Sequence, residues 1–165
     1  MPMPTKHTLL DIYAYYVRAF TLRALDEYDP DRESSGVMDI DYNIGRQQEN
    51  PKDYRIVMQI DLAKDGYTSA ENSPYSIATI IVGHFVFAED APEDEMQRMI
   101  HLNGLSILFG IARGFVGQAT GASLHGQFVL PTVDFVQLVN ERAERNKATT
   151  NQPQIEAPAE ASAEK

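Results

Sequence analysis

The stretch FGIARGFVGQATGASLHG, residues 109–126, decides the fold because four of its five glycines fall at helical spacing. Each glycine inside a helix costs about 1 kcal/mol relative to alanine, so the set needs a compensating contact. Small residues share one narrow sector of this helix: Ser106, Gly110, Gly114, Gly117 and Gly121. Apolar residues share the opposite sector: Leu105, Leu108, Ala112, Phe115 and Ala119. We therefore expect its own sheet to cover one side of the helix and another copy of the chain to cover the other.

Four strands are predicted before this helix. Residues 16–24 alternate loosely between apolar and polar side chains, and residues 37–44 and 54–62 alternate clearly, which is the period of a half-buried strand. Residues 77–87 are apolar at nearly every position, which indicates a strand covered on both faces or paired at an interface.

The helical part begins at Glu93, where Pro92 and three acidic residues match the preferences of a first turn. The pattern continues to about Ala122, with Asn103 and Gly104 as candidates for a break or kink. A final helix is predicted over residues 132–147, and the composition of residues 148–165 predicts a disordered tail. The order indicates a single α+β domain over residues 1–147, in which a four-stranded antiparallel sheet precedes a long helix and a shorter C-terminal helix.

Composition excludes several classes of function. The chain has 165 residues and a formal charge of -10, so we expect no nucleic-acid binding. The basic residues between 142 and 147 are interleaved with Glu144 and indicate a solvated helix face. The absence of cysteine excludes a disulfide framework, and no secretory signal is evident, so a cytoplasmic location is expected. Residues 102–124 are too polar and too rich in glycine for membrane insertion.

Catalytic and metal motifs are not found in the sequence. The four histidines show no close ligand spacing, so we expect no metal site. A phosphate-binding glycine loop and a serine nucleophile elbow are also missing, and no cofactor is expected. Asp39 and Asp41 look like a metal-binding pair only superficially, because strand alternation already explains their spacing.

The helical third carries a family resemblance. ILFGIARGFVGQAT followed by HGQFVLPTVDFVQLV resembles the last third of the SecB family of bacterial protein-export chaperones. Residues of the long helix stand at the positions of the family's ILFPYAR-like segment: Ile107, Leu108, Phe109, Ala112 and Arg113. A second set resembles the end of the family's crossover and the start of its final helix, with the proline shifted: Pro131, Val133, Asp134 and Phe135. The order of strands and helices matches over roughly residues 12–145.

The resemblance implies a chaperone without catalytic activity or cofactor. SecB proteins are homotetramers, dimers of dimers, whose long helices lie between two sheets, and this arrangement would explain the glycines. They hold unfolded precursor proteins in apolar grooves and deliver them to the translocation motor SecA for export. The positions that match the family's groove are Tyr42, Ile44 and Met58 on the sheet, Leu124, Phe128 and Leu130 in the crossover, and Phe135 and Leu138 on the last helix.

The sequence departs from the family where SecA docks. The family's acidic contact positions fall on Ala19, Arg23 and Thr79, none of which is acidic. Asp39, Asp41 and Asp61 are a candidate replacement for that acidic partner face, although strand alternation also explains them as the solvated side of two strands. A SecB-like chaperone dedicated to other clients, such as an antitoxin, is therefore an alternative.

Two further alternatives come from other classes of protein. A hot-dog thioesterase or dehydratase also wraps a sheet around a long apolar helix, but that helix precedes most of its strands. A structural subunit could use the same helix surface for assembly alone. The glycines could also mark a broken, loop-like region, but on a continuous helix they predict a homo-oligomer.

Overall fold

The computed structural model describes residues 9–63 and 72–150, with the side chains of the last helix described up to residue 147. The strands are β1 (Leu10–Ala24), β2 (Met38–Arg46), β3 (Asp53–Leu62) and β4 (Tyr75–Phe87). The helices are α1 (Glu93–Met99), a π-helical turn (Ile100–Gly104), α2 (Leu105–Thr120) and α3 (Phe135–Thr150). All strand pairs are antiparallel in the order β1-β4-β3-β2. The α+β prediction is confirmed, and the hot-dog alternative is wrong because the long helix follows all four strands.

The sheet has the buried and the exposed face that the alternation predicts. On β3, Ile56, Met58 and Ile60 are fully buried under the helices, whereas Arg55 and Gln59 on the opposite face are exposed. The position of Asp61 corrects the expectation of a fully solvated face. Its side chain accepts a hydrogen bond from Gln59 Nε2 at 2.8 Å, and the residue is largely buried.

Strand β1 is longer than predicted. It begins at Leu10 instead of near residue 16 and pairs with β4 over its whole length. The register shifts between Ile12 and Ala14 and again between Val17 and Ala19. Each irregularity changes which face the following side chains occupy, so the sequence of this strand shows no continuous period of two.

The helical segment packs on the inner face of the sheet, as predicted for one side of the long helix. Leu105, Leu108 and Ala112 are buried there. By length and composition, residues 93–120 are also sufficient to cross a membrane, but one side of this segment packs on the sheet. The predicted irregularity at Asn103 and Gly104 is confirmed as the π turn, and α2 ends at Thr120, two residues earlier than predicted.

Ion pairing fixes the start of the helical segment against β2. Arg46 donates to both carboxylate oxygens of Glu93, at 2.6 and 2.8 Å, and this hydrogen bonding lowers the pKa of Glu93. Lys52 Nζ donates to the carbonyl oxygen of Ala91 at 2.8 Å. The acidic first turn predicted from the sequence therefore has a specific partner on the sheet.

Helix α3 begins three residues later than predicted because Asp134 caps it. Its Oδ1 accepts the N–H groups of Val136 and Gln137, at 2.9 and 3.1 Å. The helix continues to Thr150 instead of ending at Lys147. The rest of the predicted tail, residues 151–165, lies outside the described residues.

Replacing Gly83 with valine tests the close approach of helix and sheet. A Cβ at this position would lie 2.8 Å from Phe85 Cε2 and 2.9 Å from Leu108 Cδ1, so overpacking should lower the free energy of unfolding by about 1–3 kcal/mol. Gly45→Val is the matched control, because nothing lies within 4 Å of a Cβ there and β-branched residues suit strands. Urea unfolding at one protein concentration measures both. Equal stability of the two variants would contradict this packing.

Candidate functional site

The predicted groove residues differ in how much of each side chain is accessible. Met58 and Leu130 are fully buried, and Tyr42 and Phe135 are nearly so. Ile44, Phe128 and Leu138 are half-buried, whereas Leu124 is 72% exposed. The structure therefore makes Met58 and Leu130 core residues, whereas Leu124 and the half-buried residues keep solvent-accessible surface.

The crossover between α2 and α3 is anchored at its first half by Tyr75. The Tyr75 hydroxyl accepts the His125 N–H at 2.9 Å and donates to the Gly126 carbonyl oxygen at 2.8 Å. His125 Nε2 lies 2.9 Å from the Leu25 carbonyl oxygen, and its ring contacts Tyr28 and Tyr75. Leu124 is thus exposed on a loop whose backbone is held in place.

A second set of hydrogen bonds anchors the other half of the crossover to α2. Thr120 Oγ1 accepts the Phe128 N–H at 2.8 Å, and Arg113 Nε donates to the Leu130 carbonyl oxygen at 2.9 Å. Gly117 is covered here, since a Cβ at this position would lie 3.2 Å from Gln127 Nε2. This corrects the prediction for Gly117, whose neighbour is the crossover of its own chain.

The other small residues of the predicted interface lie on the surface of this chain. Ser106, Gly110, Gly114 and Gly121 are all exposed. Apart from the adjacent residues and the backbone of the helix itself, no atom of the described residues lies within 4 Å of a Cβ placed at Gly110 or Gly114. Ile107 is exposed on the same helix. The sheet covers one side of α2, and this small-residue surface remains accessible in the single chain.

Helix α3 crosses the edge of the sheet beside β2. Arg142 Nη1 lies 2.5 Å from Asp41 Oδ1, and its guanidinium lies 4.3 Å from the centre of the Tyr42 ring. Burial raises the pKa of Tyr42, and the positive charge of Arg142 opposes this shift. The prediction that the basic residues of α3 form a solvated face is wrong for Arg142. Sequence reasoning missed the contact, because its partners are 101 residues apart.

The same contact changes the interpretation of the predicted acidic face. Asp41 is paired with Arg142, and Asp61 is largely buried. Arg145 and Asn146 of α3 line one cavity together with Asp39, Asp41 and Asp61. These three carboxylates therefore face a basic stretch of their own chain.

Shallow grooves run along both sides of α3. One, of about 240 Å³, lies between the helix and β2 and is lined by Tyr42, Ile44, His101, Val139 and Arg142, among others. Another, of about 440 Å³, separates α3 from α1 and the π turn and is lined by Leu102, His101, Val136 and Val139, among others. Val136 is 56% exposed, so the groove presents apolar surface to solvent. Among the described residues, no group of three His, Asp or Glu side chains could hold a metal ion.

Truncation of two predicted groove residues should separate core from binding surface. Met58→Ala removes a fully buried side chain and should lower the free energy of unfolding by about 2–5 kcal/mol. Leu124→Ala should change it by less than about 0.5 kcal/mol, because the side chain is exposed. Thermal and urea unfolding measure both variants. A large loss of stability with Leu124→Ala would place this residue in the core.

Comparisons with known proteins bear on the fold. No protein-family model matches the sequence, and no curated protein matches it in a sequence search. Among solved structures, a Mycobacterium tuberculosis SecB-like chaperone in complex with a ChAD peptide from the HigA1 antitoxin is similar at a TM-score of 0.57. The identity is 12%, over 76% of this chain and 91% of that chain. A Streptococcus agalactiae protein of unknown function is similar at a TM-score of 0.40 and 14% identity, over 74% and 97% of the two chains. The chain accordingly has the SecB-like fold, as its helical third predicts.

Proposed function

We propose that this protein is an ATP-independent chaperone that holds unfolded polypeptides in apolar grooves beside the crossover and α3. The observation that carries the proposal is the exposed apolar surface of the crossover, whose backbone is held by hydrogen bonds. Leu124 and Val129 are exposed on a crossover whose backbone is hydrogen-bonded to the sheet and to α2, and Val136 is exposed at the start of α3. The SecB-like fold supports the same role.

The physical chemistry of the grooves suits reversible binding of many sequences. Burial of apolar client surface contributes about 25 cal/mol per Å², and ordering of the unfolded client offsets much of this gain. The grooves are shallow and mix valine and leucine with histidine and asparagine, so no single side chain dictates the client sequence. Weak grooves gain affinity when several act on one client.

The client is a peptide segment of an unfolded protein, either a dedicated partner such as an antitoxin or a precursor protein for export. The M. tuberculosis protein is in complex with an antitoxin peptide, which favours an antitoxin as a dedicated client. Delivery of precursor proteins to SecA has less support. Thr79, one matched contact position, is buried and donates its hydroxyl to the Ala19 carbonyl oxygen at 3.2 Å.

Assembly into a homotetramer is part of the proposal. The exposed surface of Ser106, Gly110 and Gly114 would let the backbone of a second α2 approach closely. Such contact would compensate for the low helix propensity of the glycines. It would also bring several grooves together on one particle, which multivalent binding of a long client requires.

Suppression of aggregation tests the chaperone role. Substoichiometric tetramer should keep a urea-denatured protein from aggregating on dilution without nucleotide, as measured by light scattering. The double variant Leu124→Ser and Val129→Ser should suppress aggregation less well at unchanged stability, because both side chains are exposed. Tyr15→Ser is the control, since it removes an exposed aromatic side chain from β1, which lies at the opposite edge of the sheet from β2. A wild-type protein that suppresses nothing at any ratio would exclude the function.

Gly114→Leu tests the assembly. Within the chain, a side chain at this position has free space, and leucine is about 1 kcal/mol better than glycine in a helix, so the fold should not suffer. In a close helix contact between copies, the added volume should overpack the interface and split the oligomer in native mass spectrometry. Gly45→Leu on β2 is the control, with equal space around it. An intact tetramer in the Gly114 variant would remove this surface from the interface.

A further inference from the structure

The outer edge of β2 offers backbone hydrogen-bonding groups. Tyr42 N–H donates to Asp41 Oδ1 at 2.9 Å, and residues alternate along an antiparallel strand between pairing with the neighbour and pointing away. The N–H and C=O groups of Ile40, Tyr42 and Ile44 are therefore directed away from β3. Within residues 9–63 and 72–150, no backbone–backbone hydrogen bond joins this edge to another segment.

Arg142 of α3 contacts two residues in the middle of this edge, Asp41 and Tyr42. The Asp41 oxygen that caps the Tyr42 amide is the same Oδ1 that pairs with Arg142 at 2.5 Å. The Arg142 guanidinium also covers the Tyr42 ring at 4.3 Å. A single side chain from α3 thus holds the cap of the amide and shields the aromatic surface beside it.

Open space remains on both sides of this contact, although Arg145 and Asn146 of α3 lie close to the carboxylates of β2 and β3 as well. One cavity lies between the helix and residues 42–44 of β2, and another lies between its opposite side and residues 38–40. Leu138 and Val139 are only half-buried, and Val136 is exposed. A helix with few buried apolar side chains belongs to the part of a structure that opens at low cost.

We propose that Arg142 forms an autoinhibitory contact with β2. This contact holds α3 against β2 and keeps the strand edge capped until an extended client displaces α3. The inference rests on the proposed function and adds its regulation. Once uncapped, the edge pairs with the backbone of an extended polypeptide, a mode of binding that is tolerant of sequence. While capped, the edge is protected from pairing with other chains.

Removing the Arg142 side chain should strengthen client binding. With fluorescein-labelled, reduced and carboxymethylated ribonuclease A as the unfolded probe, Arg142→Ala should lower the Kd by about tenfold, the effect expected for one charge-assisted contact. In the same variant, the Tyr42 amide should exchange with deuterium faster. Arg55→Ala, which removes an exposed arginine from the outer sheet face, should leave both quantities unchanged.

Asp41→Asn provides a second test in which α3 keeps its own sequence. It should lower the Kd in the same direction, and combining it with Arg142→Ala should add little, because both changes break one contact. Unchanged affinity and unchanged Tyr42 exchange in both variants would overturn the autoinhibitory contact. Absence of probe binding by every variant would overturn the proposed function instead, and exchange of the Tyr42 amide would then still decide whether Arg142 holds the cap.

Discussion

The close approach of the helical segment to the inner face of the sheet sets the position of the crossover and of the grooves beside it. Gly83 on β4 leaves room for Leu108, and Gly104 at the end of the π turn leaves room for Ile56. With the helix this near, Leu105 and Ala112 also reach the sheet and are buried. The end of α2 then lies where Thr120 and Arg113 hydrogen-bond the crossover, so the grooves inherit their shape from this packing.

In the crossover, hydrogen bonds hold the backbone in place, whereas several apolar side chains are exposed and free to adapt to a client. Tyr75 and Thr120 fix the crossover by hydrogen bonds, whereas Leu124 and Val129 present apolar surface to solvent. This division suits the proposed role, since a preorganised backbone lowers the cost of binding and flexible apolar contacts accept varied clients. The contact of Arg142 with Asp41 adds a charged element to an otherwise apolar surface.

Local periodicity predicted what depends on local contacts. The alternation of β2 and β3 and the acidic first turn of α1 were enough to place those elements, because side-chain direction follows from strand and helix geometry. The first half of β1 was missed because two register shifts disturb its alternation. Met58 and Leu124 of the predicted site are both apolar, so the sequence alone could not show that Met58 is buried in the core and Leu124 is exposed. The Arg142 contact depends on tertiary structure. The start of α3 was placed three residues early because Asp134 was not identified as the capping residue, although aspartate is a preferred N-cap.

The π turn has a consequence for evolutionary comparison. A turn closed by hydrogen bonds from i to i+5 contains one residue more than an α-helical turn, so α1 and α2 follow two different phases of the helical wheel. An alignment that treats residues 93–120 as one uninterrupted α-helix would place α1 one position out of step with relatives that lack the turn. Superposition on a helix that has no such turn therefore requires a single-residue gap near residue 102.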